Sequence, residues 1–366
     1  MQNIDNNYMQ RALDLATRGC GKVSPNPMVG AVIVKNGNIL AEGWHSQFGK
    51  DHAEIVALKK LKGKADGSTM YVNLEPCNHY GKTPPCVDAI INSKIKEVVI
   101  AMKDPNPRTN GKSIRKLRRA GVTVKTGVLK EKAELLNEAF IKFIKTGMPF
   151  VTIKSAQTLD GKISLTSGES KWITSDRTRK LSRSRRDNYD AIMVGSNTVL
   201  KDDPRLDGAK QSSSLKKVVI DSQLRVPLNA KLFNNLRHKT FLFTTRLASD
   251  KKINKYIKEG INVFVCPCEI DKKVNLEWMF KELTRLGIIN VLVEGGAHLS
   301  GAILRQGLAD KLQTYIAPKI FGNKEDLNVF VGIGTKSIDQ NIKLSFSSVE
   351  QYYEEVIITA YVLRDR

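Results

Sequence analysis

The sequence predicts an α/β protein of two consecutive domains. Three observations carry this. The chain has 366 residues, for which two hydrophobic cores are the natural expectation. Short apolar runs alternate with stretches of helical spacing along the chain, the pattern of mostly parallel sheets covered by helices. Gly147-Met148-Pro149 interrupts that alternation after a long helical stretch. The expected domains are residues 1–147 and 148–366.

Met9 to Arg18 sets Met9, Ala12, Leu13 and Ala16 at helical spacing, and Gly19 and Gly21 end the helix. Ser24-Pro25-Asn26-Pro27 is an extended loop, because residues before proline avoid the α region. Val29 to Val34 reads as a buried strand, Asn36-Gly37 as a hairpin turn and Ile39 to Trp44 as the return strand. Asp51 to Leu61 reads as a helix with Asp51 as N-cap and Glu54 placed as in a capping box. Ser68 to Leu74 is a strand ending at Glu75-Pro76-Cys77. Asn78 to Pro85 is too polar and too rich in Pro and Gly for a helix, which resumes from Cys86 to Ser93. Lys96 to Ala101 is a strand, Asp104-Pro105-Asn106-Pro107 a loop, and Lys112 to Ala120 a basic helix. Val122 to Val124 is a strand and Glu131 to Lys145 one long helix.

In the second half, Phe150 to Lys154 is a strand, with a turn at Leu159-Asp160-Gly161. Ser167 to Thr174 is a polar loop around Trp172, and Ser175 caps an Arg-rich helix from Asp176 to Asn188. Further strands are expected at Ala191–Gly195, Lys217–Asp221, Thr240–Thr244, Ile261–Cys266 and Asn290–Glu294, with a helix over Phe280–Leu286. The last strand runs into Gly295-Gly296 and a helix start. Such a turn lets backbone N–H groups approach a phosphate, and it also serves as a plain strand-to-helix turn. It is not the GxGxxG fingerprint.

Net charge is +22, shared evenly between the halves: 24 Lys+Arg against 13 Asp+Glu before Met148 and 35 against 24 after it. With no basic tail or Arg-rich tract, this favours anionic phosphorylated substrates over nucleic acid as the partner. No run approaches a membrane span, and the N-terminus lacks the order of a signal peptide, so a cytoplasmic location is expected. Five scattered cysteines argue against a disulfide framework, and Cys266 and Cys268 read as ordinary thiols at a strand end.

His52, Cys77 and Cys86 form a three-ligand zinc set, which leaves a fourth position for water, as catalytic sites do. Glu54, two residues from the histidine, is placed to move protons for that water. His-x-Glu followed by Pro-Cys and a second cysteine is the signature of zinc base deaminases. Here eight residues, Asn78 to Pro85, separate the cysteines where two are usual. His79 is either a bystander or a fourth ligand that would close the site. His45 and Lys82 are polar residues near these motifs that suit substrate contact.

Pro25-Asn26-Pro27-x-Val29-Gly30, Gly43-x-His45, His52-Ala53-Glu54 and Glu75-Pro76-Cys77 through Thr83-Pro84-Pro85-Cys86 resemble the bifunctional riboflavin-biosynthesis deaminase/reductase family. Leu159-Asp160-Gly161-Lys162, Ser170-x-Trp172-Ile173-Thr174, Gly195-x-x-Thr198-Val199, Asp202-Asp203-Pro204-x-Leu206 and Glu294-Gly295-Gly296 resemble its reductase half. The resemblance implies a cytidine-deaminase-like three-layer α/β/α domain followed by a dihydrofolate-reductase-like α/β domain. It implies one zinc per chain on His52, Cys77 and Cys86, Glu54 as proton shuttle, and substrate contacts at Asn26, His45 and Lys82. For the second domain it implies NADPH, held at Ala156, Ser170, Trp172, Thr198, Asp202, Ser222 and the turn Gly296, Ala297, His298, Leu299, Ser300, Gly301 and Ala302. It places substrate near Arg186, Arg205, Leu206 and Glu294. The family often continues Asp-Asp-Pro-x-Leu with Thr-x-Arg. Here Asp207-Gly208-Ala209-Lys210 follows, leaving Arg205 or Lys210 to substitute for the absent arginine.

The implied activity is hydrolytic deamination of 2,5-diamino-6-(5-phosphoribosylamino)pyrimidin-4-one. Reduction of the ribosyl group of 5-amino-6-(5-phosphoribosylamino)uracil to ribityl would follow, in a homo-oligomer, dimer or tetramer. The rival readings are a nucleic-acid base deaminase and a non-catalytic zinc-binding sensor closed by His79.

Overall fold

A computed structural model describes residues 2–79, 84–210, 214–234, 237–268 and 272–364. The chain divides into two compact units, Met1–Met148 and Pro149–Arg366.

The first unit contains α1 (Gln2–Ala16), β1 (Gly30–Lys35), β2 (Asn38–Trp44), α2 (Ala53–Lys60), β3 (Thr69–Leu74), α3 (Cys86–Asn92), β4 (Glu97–Met102), α4 (Lys112–Arg119), β5 (Thr123–Thr126), α5 (Lys130–Leu136) and α6 (Glu138–Thr146). Its sheet runs β2-β1-β3-β4-β5. β1 is antiparallel to both neighbours, and β3, β4 and β5 are parallel. Glycines bring helices close to both faces: a Cβ on Gly30 would meet the Ala12 carbonyl oxygen of α1 at 2.0 Å, and one on Gly43 the Ala53 oxygen of α2 at 2.2 Å. Ala31 pairs with Gly43 and Gly30 with Trp44, so the two glycines face opposite sides of the sheet. The result is the expected three-layer α/β/α arrangement.

Two local expectations change. The N-cap of α2 is His52, not Asp51. Asp51 instead pairs with Lys59 at 2.6 Å, so Glu54 is not the second half of a capping box. The single helix expected over Glu131–Lys145 is broken at Asn137, whose φ is −108°. Its amide is turned onto Met28, accepting the backbone N–H at 2.8 Å and donating to the carbonyl at 3.0 Å. That pairing ties the helix junction to the Pro25–Pro27 loop.

The second unit contains β6 (Phe150–Thr158), β7 (Lys162–Ser164), α7 (Asp176–Arg185), β8 (Ala191–Gly195), α8 (Ser196–Asp202), β9 (Lys216–Ile220), β10 (Thr240–Thr244), α9 (Asp250–Lys258), β11 (Asn262–Val265), α10 (Leu276–Arg285), β12 (Asn290–Glu294), α11 (Ala297–Arg305), β13 (Lys311–Ala317), β14 (Leu327–Asn328), β15 (Leu344–Tyr352) and β16 (Glu355–Val362). The nine-stranded sheet runs β11-β10-β9-β8-β12-β6-β13-β16-β15. Strands β11 through β13 in that order are parallel, and β16 and β15 add an antiparallel edge. Ser175 caps α7 as expected, its hydroxyl accepting the Thr178 N–H. The C-terminal strands escape the sequence reading. In β15 the register shifts between Phe346 and Ser348, which breaks the two-residue alternation that announces a strand. Cys266 is buried, and burial pushes its thiol up to about 12, the behaviour of an inert thiol. Among the described residues no helix is long and apolar enough to cross a membrane.

Candidate active sites

In the first unit, strand β3 and helices α2 and α3 converge on one point. His52 Nδ1 lies 3.2 Å from Cys86 Sγ and 3.6 Å from Cys77 Sγ, and the three ligand atoms all fall within 4.8 Å of one another. A tetrahedral ion holding its ligands at about 2.0–2.3 Å would separate them by roughly 3.3–3.8 Å, so the donor set fits zinc. The backbone N–H of Cys86 donates to Cys77 Sγ at 3.2 Å, support for a thiolate there. The hydrogen bond from Cys86 draws the Cys77 thiol well down, with His52 assisting; the same bond, with burial, pushes Cys86 up. The Cys77 contact pushes His52 up to about 9. Metal binding would release such protons.

Glu54 is 3 % exposed, and its Oε2 has no hydrogen-bond partner among the described residues. Burial pushes its carboxyl above the ordinary range. A buried carboxyl without a partner for one oxygen, beside three metal ligands, is poorly explained by stability alone.

His52, Glu54 and Cys77 line a cavity of about 240 Å³ with Asn26, His45, His79, Asp104, Asn106 and Phe140 in its wall. His45 Nδ1 donates to the Asp51 carbonyl at 3.0 Å, and its Nε2 accepts from Asn26 Nδ2 at 3.1 Å, the assignment that satisfies both contacts. Burial lowers the His45 pKa, favouring the neutral ring. His79 stands in the cavity wall with a buried Nδ1 that has no partner among the described residues, and it is not one of the three clustered metal donors found among them. Lys82 lies outside the described residues.

Two residues here carry more than the sequence reading gave them. Glu75 is 2 % exposed and accepts backbone N–H groups from Asp104, Gly111, Ser113 and Ile114 at 2.8–3.4 Å. It pins the 104–111 loop and the start of α4 to the end of β3. Asp104 is thereby held in the cavity wall, where burial pushes its carboxyl up. The signal available was a Glu directly before the Pro-Cys pair.

In the second unit Ala156 lies late in β6, and Thr198, Ser222 and Gly296 follow the carboxyl ends of β8, β9 and β12, where ligands bind in open α/β sheets. Arg186 and Glu294 form a bidentate pair, Nε to Oε1 at 2.8 Å and Nη2 to Oε2 at 2.9 Å. Arg186 Nη1 also donates to the Asp207 carbonyl at 2.9 Å. Lys154, the cross-strand partner of Glu294, completes the cluster, and burial lowers its pKa. The sequence reading took Lys154 as a strand end only; its signal was a single cation closing an otherwise apolar run.

Thr198 supports the glycine turn. A Cβ on Gly295 would come within 3.1 Å of Thr198 Cγ2, and one on Gly296 within 3.4 Å of its Oγ1. Both glycines have positive φ, 81° and 86°. The turn leads into α11, where Ala297, Ser300 and Gly301 are buried and His298, Leu299 and Ala302 are not. Ser170 Oγ donates to Asp202 Oδ1 at 3.4 Å. Trp172 is 62 % exposed, with the Arg179 guanidinium 4.1 Å above its ring. Ala156 lies near the end of β6, and the Ser222 carbonyl accepts from Thr245 at 2.8 Å. Leu206 is 3 % exposed and packed in the core with Val199 and Leu215, so any ligand contact there runs through its backbone. Arg205 and Lys210 are exposed, whereas Arg183 reaches the 207–210 loop by donating to the Gly208 carbonyl at 3.1 Å.

Residues 2–102 match the family described as the cytidine and deoxycytidylate deaminase zinc-binding region, and residues 149–358 match the RibD C-terminal domain. The riboflavin biosynthesis protein RibD of Aquifex aeolicus is 42 % identical over 360 residues, 98 % of each chain. That of Escherichia coli is 39 % identical over 333 residues, 87 % of this chain and 89 % of its own. The crystallised RibD of Acinetobacter baumannii superimposes with a TM-score of 0.88 at 33 % identity, covering all of both chains. A Thermotoga maritima diaminohydroxyphosphoribosylaminopyrimidine deaminase/5-amino-6-(5-phosphoribosylamino)uracil reductase gives 0.86 at 36 % identity, covering 99 % of both. With a His/Cys/Cys donor set in the first unit and a glycine turn at the end of the central strand β12 in the second, the chain belongs to the RibD family, the bifunctional deaminase/reductases of riboflavin biosynthesis.

Proposed function

We propose that the first unit deaminates 2,5-diamino-6-(5-phosphoribosylamino)pyrimidin-4-one and that the second reduces the ribosyl group of 5-amino-6-(5-phosphoribosylamino)uracil with NADPH. The observation that carries the first half is the buried, half-unpartnered Glu54 carboxyl beside three donors spaced for zinc. Bound zinc supplies Lewis acidity that makes a water acidic near neutral pH. His52, Cys77 and Cys86 hold the ion. Glu54, raised by burial, would pass one proton of the water to the ring nitrogen and then the second, from the added hydroxyl, to the departing amine. Asn26 and the neutral His45 present a fixed hydrogen-bonding edge, and Asp104 and His79 add polar groups to the same cavity wall. Lys82 remains the proposed phosphate contact.

In the second unit the Gly295–Gly296 turn, cleared of any Cβ above Thr198, fits the pyrophosphate of a dinucleotide. Ala156, Ser170, Trp172, Asp202 and Ser222 are proposed to line its length. NADPH supplies the hydride. Glu294, Arg186 and Lys154 form a fixed charge cluster that orients the ribosyl chain, and Arg183, Arg205 and Lys210 stand near its phosphate. A cytoplasmic homo-oligomer is part of this reading. The exposed Phe346 and Val349 on edge strand β15 favour association with a second copy.

The test is Glu54→Gln in the full chain. Ammonia release falls by at least about 10²-fold, the weight of a general acid–base. Zinc content stays at one per chain, and NADPH oxidation on pre-deaminated substrate is retained. Ammonia release within tenfold of wild type would sink the assignment.

A further inference from the structure

One guanidinium at the dinucleotide edge has no role in the reading above. Arg225 Nη2 donates to Ser196 Oγ at 2.8 Å and to Asn197 Oδ1 at 2.7 Å. Its Nε lies 3.9 Å from Asp221 Oδ1, and its side chain is 47 % exposed. Ser196 and Asn197 follow β8 directly, and Asp221 and Ser222 follow β9. These strands are parallel neighbours, so the cluster sits at their carboxyl ends.

NADPH and NADH differ by one phosphate, on the 2′-oxygen of the adenosine ribose. A cation is the strongest single side chain for telling them apart. It must also stand one ribose away from the turn that takes the shared pyrophosphate. β9 is two strands from β12 in the sheet order, about 10 Å at the usual strand spacing. In dinucleotide folds a free acidic residue near the ribose accepts from its 2′-hydroxyl and selects NADH, whereas an arginine accommodates the 2′-phosphate. Asp221 is denied the first role. It is 1 % exposed, its Oδ2 accepts the Val226 N–H at 2.7 Å, and its Oδ1, buried and without a hydrogen-bond partner among the described residues, lies 3.9 Å from Arg225 Nε. Burial keeps the carboxylate from the sugar, and its charge lies at ion-pair distance from the arginine.

We propose that Arg225, held by Ser196 and Asn197 beside the buried Asp221, reads the 2′-phosphate and sets this chain's preference for NADPH over NADH. The proposal rests on the dinucleotide reading of this edge. A half-exposed guanidinium can turn its fork onto a phosphate in a bidentate contact, which the compact ammonium of lysine cannot reproduce.

The test is equilibrium binding, followed by nicotinamide fluorescence, for NADPH and NADH on wild type, Arg225→Ala and Arg225→Lys. Competition by 2′,5′-ADP and 5′-AMP reports the adenosine end alone. Wild type binds NADPH at least tenfold more tightly than NADH and 2′,5′-ADP more tightly than 5′-AMP. Arg225→Ala loses ten- to hundredfold in NADPH and 2′,5′-ADP affinity, with NADH and 5′-AMP unchanged. Arg225→Lys recovers part of the loss. An Arg225→Ala variant that keeps the wild-type ratio, or weakens both cofactors equally, overturns the proposal alone. Wild-type protein that binds neither dinucleotide overturns the underlying reading and this one with it.

Discussion

Replacing Glu294 with Gln removes one charge from a cluster of three. Arg186 and Glu294 are 19 % and 11 % exposed and share two hydrogen bonds below 3 Å. Breaking a buried pair by removing one partner costs about 3–5 kcal/mol, because the remaining charge stays desolvated. Here two cations are stranded, since Lys154 also faces Glu294. A domain of roughly 200 residues shifts by about 2–4 °C per kcal/mol, so the second unit should melt about 6–20 °C lower. Calorimetry of the full chain at neutral pH reads this directly. Adding Lys154→Met to Glu294→Gln should restore part of the loss, because one stranded cation is gone. The effect also has a pH signature. Burial pushes the Glu294 carboxyl up, but Arg186 and Lys154 outweigh it and hold it below its ordinary value. Its stabilisation is therefore complete above the unfolded carboxylate range near about 4.3 and is lost as pH falls through the lower folded value. The gap between wild type and variant should narrow from pH 6 to pH 3. A shift under about 2 °C at neutral pH, with no response to Lys154→Met, would refute the reasoning.

Two further substitutions test the frame of the first unit. Gly43→Ala would place a Cβ 2.2 Å from the Ala53 oxygen and 2.7 Å from the Ala57 nitrogen, both rigid backbone of α2. The expected cost is about 1–3 kcal/mol in urea unfolding, with weaker zinc retention on dialysis because His52 begins that helix. Wild-type values for both would count against the close approach. Asn137→Ala orphans the Met28 N–H, whereas the Met28 carbonyl keeps Asn73 Nδ2 at 3.0 Å. A loss of about 1–3 kcal/mol is expected by the same measurement, and no loss would mean that water replaces the amide without cost.

The zinc donors were legible because their spacing is a property of the chain: His52, Cys77 and Cys86 stand in the pattern that one metal geometry requires. The glycine turn was only half legible, since nothing local reveals that Thr198 lies beneath it. Glu75, Asp104, Lys154 and Arg225 went unread for one shared reason. Each gains its meaning from a partner 4 to 140 positions away, Asp221 for Arg225 and Glu294 for Lys154, and periodicity does not encode such pairings. The Asp51 cap failed for a related reason. A local rule was satisfied in sequence, but Lys59 claims the carboxylate. In the fold, β6 extends to Thr158 through polar residues because Thr314 to Ala317 of β13 pairs with them, a tertiary preference that overrides local propensity.

The strand order of the second unit bears on how the chain is made. In the first unit β1 pairs with β2, the next strand to leave the ribosome, and its sheet is complete by residue 126. In the second, β12 separates β6 from β8 although about 100 residues of chain lie between Gly195 and its end. β6 has no neighbour on either side until β12 and then β13 are synthesised. A nascent chain halted between residues 195 and 290 therefore carries a complete first-unit sheet, β6 with both edges bare and β8 with at least its β12 edge bare, a species prone to aggregate. Chaperone demand during translation should accordingly concentrate in that interval.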